Sequence, residues 1–207
     1  MKDIDLIHEY NVSIESREIF LIPDDEIEQK TAANFIKNLR VLECKKAPIV
    51  VHLNSIGGDR IAGMAIYDAL INSICPIIII GSGIVASAAS IILQAATPGY
   101  RIITKNCELG IHEGAVSLES NPKSAISQID ANNRIVNNMY DIYVAACSHG
   151  EFFKEDKPPK IKSYLKRKLS IKEDWYLDSI ESVYYGFADA ILGDKDYETI
   201  DKIKSYL

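Results

Sequence analysis

The sequence predicts an α/β fold, with a largely parallel sheet built from repeated strand–helix units. Three observations predict it. Short β-branched runs are each followed by a turn and then by a helical pattern, and three such units follow one another before Gly99. The composition, 47% apolar and 25% charged over 207 residues, supports one hydrophobic core. Alternation of this kind implies right-handed crossovers and puts functional loops at the carboxyl ends of strands.

The first unit opens with Ile19-Phe20-Leu21-Ile22, a strand run stopped by Pro23. Asp24 or Asp25 is the expected cap of a helix in which Ile27, Phe35, Ile36 and Leu39 recur at helical intervals. Pro48 precedes a second strand, Ile49 to Leu53, and Asn54-Ser55-Ile56-Gly57-Gly58 turns the chain into a helix carrying Ile61, Met64, Ala65 and Ile71. Pro76 closes that helix and Ile77 to Ile80 form a buried strand. Gly81-Ser82-Gly83 is the expected turn into an Ala-rich helix running through Ser87 to Leu93. Beyond Gly99, Arg101 to Thr104 and Leu109 to His112 read as two more strands.

After Asn121 the texture changes. Asn121 is a good cap, Pro122 suits the first helical position, and Ile126, Ile129, Ile135, Met139 and Ile142 keep mostly helical spacing. From Pro122 to Cys147 such a helix is about 39 Å long. It should project from the body, and its apolar stripe calls for a partner, so oligomerisation is expected. The Lys-rich stretch from Glu151 to Lys168, with Pro158-Pro159, reads as a surface insert. Asp178 and Glu181 make a capping-box pattern for a short helix that Gly186 can end. The chain 1–207 thus reads as a single domain, with a projecting helix over about 122–149 and the insert over about 151–169.

A net charge of −6 argues against a nucleic-acid partner, because such binding rests on basic residues neutralising phosphates. Cys44, Cys75, Cys107 and Cys147 are widely spread and form no Cys-x-x-Cys pair, which fits a reducing cytosol better than a disulfide framework. Met1-Lys2-Asp3-Ile4-Asp5 is too charged for a signal peptide, and the apolar runs are too short to span a bilayer. A cytoplasmic protein with no membrane partner is expected.

Three short stretches carry chemistry: Gly57-Gly58, Ser87 within Val85-Ala86-Ser87-Ala88-Ala89, and His112 within Gly110-Ile111-His112-Glu113. Each follows an apolar strand run. Together they offer a backbone donor, a nucleophile and a base at neighbouring strand ends, the parts a serine peptidase needs. Taken singly, each has a structural explanation. A serine among alanines lets helices pack closely, which is the role expected of Ser90, and a histidine ending a strand is commonly a hydrogen-bonded structural residue, as expected of His52. The Gly-Gly turn lacks the Gly-Lys-Ser or Gly-Lys-Thr ending of a phosphate loop. His112-Glu113 begins like a zinc motif, but Val116 stands where the second ligand would be, so no metal or other cofactor is predicted.

The combination is more specific than its parts. Asn54-Ser55-Ile56-Gly57-Gly58, Ala62-Gly63-Met64-Ala65-Ile66-Tyr67-Asp68, Ala86-Ser87, Asn106 and Ile111-His112 resemble, at the same intervals, the motifs of the proteolytic subunit of the Clp protease. Asp174-Trp175-Tyr176-Leu177, Glu181 and Tyr185-Gly186-Phe187-Ala188-Asp189 extend the resemblance, which runs from Arg17 through nearly the whole chain. It implies a ClpP/crotonase-like fold of repeated β-β-α units with a protruding handle helix. It also implies a serine endopeptidase that cleaves peptides and unfolded proteins through an acyl-enzyme. Ser87 would be the nucleophile, His112 the general base, Asp174 the group orienting it, and Gly58 and Ala88 the oxyanion donors. The implied partners are further copies of the chain, in heptameric rings stacked as a tetradecamer, and a Clp-type ATPase.

The chain departs from the family pattern in several places. Ala88 replaces a methionine after the nucleophile, and Ile56 replaces a proline in the oxyanion turn. Ala115-Val116-Ser117-Leu118 replaces a Gly-rich strand that pairs with substrate, which bears on cleavage preference. His52 and Asn72 stand where aromatics line the ATPase-docking clefts, and the segment before Arg17 is shorter than the family's axial loops. Lys172-Glu173 reverses the acid-then-arginine order that the family uses between rings. Two alternatives stay open: a catalytically silent ring subunit or scaffold, and an acyl-CoA-handling crotonase relative.

Overall fold

The computed structural model describes residues 2–23, 26–114 and 121–207. Among these, the strands form one sheet whose main path is β1 (Val12–Ser13), β2 (Glu18–Leu21), β3 (Ile49–Ser55), β4 (Ile77–Ala86), β5 (Arg101–Ile103) and β8 (Ala190–Ile191). Off this path, β6 (Glu108–His112) pairs with β4 and with β7 (Asp174–Leu177). From β2 to β8 the path is parallel, as the strand–helix alternation predicts; β1 on β2 and β7 on β6 are antiparallel.

Continuous β-branched runs suit strands covered on both faces. Ile49, Val51, Ile77 and Ile79 point into the main core, which α2 (Gln29–Leu42) supplies with Phe35, Leu39 and Leu42 and α3 (Arg60–Ile71) with Ala62, Ile66 and Leu70. The alternate residues Val50, Ile78, Ile80 and Ile102 form a smaller cluster on the opposite face, capped by Ile203 of α8 (Ile200–Lys204). The N-terminal α1 (Asp3–Tyr10) lies ahead of β1.

Two expectations are corrected. Ile27 is not helical: its N–H donates to Gly57 O (2.7 Å) and its carbonyl accepts from Asp59 N–H (2.8 Å), so its backbone is committed to a bridge with Gly58. Helix α2 starts only at Gln29, with Glu28 as its cap residue, while the predicted caps Asp24 and Asp25 lie outside the described residues. Likewise, Gly81-Ser82-Gly83 is not a turn into a helix. β4 continues to Ala86, and α4 (Ala88–Leu93) begins only after Ser87. The strand bends at Gly83, whose φ of +63° suits glycine, and Asn54 Oδ1 accepts the Ile84 N–H (3.3 Å) at the bend. Before the bend β4 pairs with β5, and after it with β6. Pairing on both sides overrides the local breaker signal.

The long helix α5 (Pro122–Cys147) starts as predicted, with Asn121 Oδ1 accepting the Ser124 N–H (3.0 Å) and Pro122 in the first turn. Its buried residues begin only at Met139, and Ile126 and Ile129 are exposed. Half-buried Val136 already packs against the core, so about 20 Å of helix precedes the first core contact among the described residues. The Lys-rich stretch folds as α6 (Pro158–Ile171), which buries Ile161, Leu165 and Leu169 along one face and turns its lysines outward. Asp178 accepts the Glu181 N–H (2.8 Å) to cap α7 (Ser179–Tyr184).

Candidate active site

The site lies where the turn after β3, the end of β4, the end of β6 and the start of β7 converge. In the first of these, Ser55 Oγ accepts the Gly57 N–H (3.1 Å), and Asp59 caps α3 by accepting the Ala62 N–H (2.8 Å). Gly57 has φ +99°, and its backbone is packed so tightly that a Cβ there would sit 2.6 Å from Ser87 Cβ. Because Ile27 bonds to Gly57 and Asp59, the Gly58 N–H is left facing the other way. It has no hydrogen-bond partner among the described residues, and neither has the Ala88 N–H.

Ser87 occupies the sharp junction between β4 and α4. Its φ of 53° and ψ of −124° are sparsely populated for a residue with a side chain, at a cost of about 1–3 kcal/mol. The surrounding bonds hold it there: its N–H donates to Gly110 O (2.9 Å), and its carbonyl accepts from Ser90 N–H (3.0 Å) and from Ser90 Oγ (2.6 Å).

His112 ends β6 directly opposite Asp174, which begins β7. Along β7 the period-two pattern turns Trp175 and Leu177 inward and leaves Asp174 and Tyr176 on the site face. Behind it, Trp175 meets Tyr185 and Phe187 edge to face, so the strand bearing Asp174 rests on an aromatic wall. His112 Nδ1 lies 3.2 Å from Asp174 Oδ1. The Asp174 side chain is 56% exposed, so this pair adds little to stability and acts mainly on the orientation of the imidazole.

Ser87, His112 and Asp174 open on one cavity of about 60 Å³, with Ile56 and Tyr176 as its larger apolar walls. A wider concavity of about 380 Å³ adjoins it along His112, Glu113, Leu169 and Glu173. Among the described residues no hydrogen bond joins Ser87 Oγ to His112, a contact that commonly tightens only when substrate is bound. A concavity of about 610 Å³ between α1, β2 and α2 is about ten times larger, yet no serine stands beside a histidine in it. Size is therefore not the guide here. A serine, a histidine with a carboxylate at Nδ1, and an unpaired N–H on the residue after the serine are components of acyl transfer.

Sequence reasoning missed the contacts made by five residues, Ser90, Tyr143, Tyr140, Glu113 and Arg60. Ser90 is fully buried, and besides bonding Ser87 O its hydroxyl lies 2.7 Å from Tyr143 OH. Tyr140 OH donates to the Glu113 carboxylate, and Arg60 Nη1 donates to Glu113 O (3.0 Å). Burial pushes both tyrosine hydroxyls well above their ordinary pKa, so they are donors at any physiological pH. The helical spacing of Tyr140 and Tyr143 was visible in the sequence; their partners were not. The segment Ala115-Val116-Ser117-Leu118 lies outside the described residues.

The Clp protease family profile matches residues 2–195. The ATP-dependent Clp protease proteolytic subunit 1 of Chlamydia muridarum is 27% identical over 183 residues, covering 86% of this chain and 88% of the relative. The chloroplastic proteolytic subunit 4 of Arabidopsis thaliana is 31% identical over 180 residues, covering 85% of this chain and 56% of the relative. Among solved structures, a mutant of ClpP1 from Listeria monocytogenes superposes with a TM-score of 0.70 at 24% identity, covering 88% of this chain and 95% of that one.

Proposed function

The chain belongs to the Clp protease family of serine-type peptidases, and from that premise we propose that Ser87, His112 and Asp174 hydrolyse peptide bonds through an acyl-enzyme. Ser87 Oγ attacks the scissile carbonyl while His112 Nε2 takes its proton. Asp174 holds the imidazole by Nδ1 and so fixes the direction of Nε2. The Gly58 and Ala88 N–H groups receive the oxyanion. His112 then gives its proton to the leaving amine, and water repeats the sequence on the ester. The observation that carries this reading is the 3.2 Å approach of His112 to Asp174 beside a serine held at positive φ.

Substrates are peptides and unfolded proteins, and the working form is a stack of two heptameric rings in the cytoplasm. The exposed Ile126 and Ile129 on the projecting part of α5 support burial against further copies. A Clp-type ATPase is the further partner. At the docking-cleft position, His52 stacks on Phe20 (4.8 Å) and bonds Glu18 (2.9 Å), a more polar surface than an aromatic would give. Among the described residues, no helix is long and apolar enough to cross a membrane.

The crotonase alternative has less support, since the carboxylate beside the oxyanion turn, Asp59, is occupied in capping α3. The silent-subunit alternative has less support too, since Ser87, His112 and Asp174 line one cavity and His112 is already paired with Asp174. Intact-mass labelling with a fluorophosphonate separates them. One adduct on the assembled protein, absent in Ser87→Ala and slow in His112→Ala and Asp174→Ala, is the expected result. A well-formed assembly with no adduct would refute the peptidase mechanism.

A further inference from the structure

The buried base of α5 touches both halves of the site. Tyr140 and Tyr143 lie one turn apart on the same face of the helix, and both are fully buried. Ser90 Oγ has a single proton, which goes to Ser87 O, so the Tyr143 hydroxyl must be the donor in its 2.7 Å contact with Ser90. The bonds thus run in one direction, from Tyr143 through Ser90 to the carbonyl of the nucleophile residue. Tyr140 in turn donates to the carboxylate of Glu113, the residue after His112. The Glu113 carbonyl is gripped from the other side by Arg60 of α3.

His112 needs such a hold. It is the last paired residue of β6, and the carboxylate facing its ring is mostly in water, where an ion pair fixes geometry weakly. Ser87 needs one too, because its backbone sits in a costly conformation that relaxes unless its surroundings oppose it.

We infer that Tyr140 and Tyr143 are paired positioning residues, through which one helix holds the general base and the nucleophile in register with each other. The inference rests on the peptidase reading of Ser87 and His112. Neither tyrosine touches the reacting atoms. Each acts through an intermediary, Glu113 or Ser90. Since the rest of α5 projects from the core, a displacement of that helix would reach both reacting residues together.

The test is the rate of fluorophosphonate labelling of the assembled protein, separated into its first-order rate and its half-saturating concentration. Tyr140→Phe and Tyr143→Phe remove one hydroxyl each and keep the ring. Each should lower the first-order rate about tenfold or more and leave the half-saturating concentration unchanged. Ser90→Ala should reproduce Tyr143→Phe. Glu113→Ala should reproduce Tyr140→Phe, and Glu113→Gln, which keeps a carbonyl acceptor, should recover much of that loss. The double variant Tyr140→Phe/Glu113→Ala should be no slower than either single one. First-order rates within twofold of the parent in both Phe variants would overturn the inference while leaving the peptidase reading intact. So would losses that track the fall in melting temperature across all of these variants. A parent protein that is not labelled at Ser87 would overturn both.

Discussion

Gly57→Ala is the most incisive perturbation of the oxyanion turn. A Cβ at this position would lie 2.6 Å from Ser87 Cβ, 2.7 Å from Ala86 O and 2.9 Å from Ala88 N, where ordinary contacts begin at 3.4 Å. The neighbours must give by about 0.8 Å, 0.7 Å and 0.5 Å, and none is the free end of a flexible side chain. All three belong to the segment that carries the proposed nucleophile and one proposed oxyanion donor. A misplacement approaching 1 Å costs on the order of 10²-fold in rate, about 2.7 kcal/mol of barrier. Fluorophosphonate labelling of Ser87, followed by intact mass alongside thermal melting, should therefore slow about 10²-fold. Gly99→Ala is the control: it too replaces a glycine at positive φ (+90°), but no atom lies within 4 Å of the added Cβ. It should lose about 1–2 kcal/mol of stability to backbone strain with an unchanged labelling rate. Labelling of Gly57→Ala within threefold of the parent would refute the steric reasoning.

Three further outcomes follow from the fold and its expected assembly. Arg101 is buried and donates to Asp189 through Nε (3.1 Å) and Nη2, to Gly186 O (2.7 Å) and to Gln94 Oε1 (3.0 Å), so Arg101→Met strands a carboxylate and should cost about 3–5 kcal/mol in urea unfolding. Adding Asp189→Leu should recover part of that loss. Glu18, hydrogen-bonded by His52 and paired with Lys204 (2.8 Å), has its carboxyl pulled down to about 2. A depressed folded-state pKa gives stability that is full above the unfolded value near 4.5 and is lost as pH falls toward about 2. Glu18→Gln should thus narrow the difference in unfolding free energy between pH 6 and pH 3, read by urea unfolding, by about 1–2 kcal/mol after solvent screening. Finally, Lys172→Glu should lower the assembly mass seen by light scattering if Lys172 and Glu173 pair reciprocally across stacked rings; an unchanged mass would remove that pairing.

How far the sequence carried the structure depended on whether a signal was local. The caps Asn121 and Asp178 and the buried runs of β3 and β4 act within a few residues, and each element begins where its pattern puts it. Ile27 and the Gly81–Gly83 stretch deceived because partners distant in sequence, Gly58 and β6, decide their conformation. Ser87, His112 and Asp174 were singled out as candidates through their combined spacing and its resemblance to one family. That Asp174 stands opposite His112 depends on the antiparallel β6–β7 pairing, which no local pattern encodes. Ser90 passed for a packing residue because a serine among alanines reads the same whether or not its hydroxyl has work; only Tyr143, distant in sequence, distinguishes the two.

The bend in β4 has a wider consequence. Beyond it, Ala86 stands opposite Gly110, Ser87 follows the first and His112 lies two places past the second, and β6 in turn lines up Asp174. The backbone ladder thus works as a ruler for the site, setting its spacings by peptide geometry that is common to all side chains. Substitutions of exposed side chains such as Ile126 and Ile129, in the projecting part of α5, leave those spacings alone. A slip of one residue in β6 would instead turn His112 to the opposite face of the sheet. The spacing of the proposed reacting groups thus rests on the registration of three short strands.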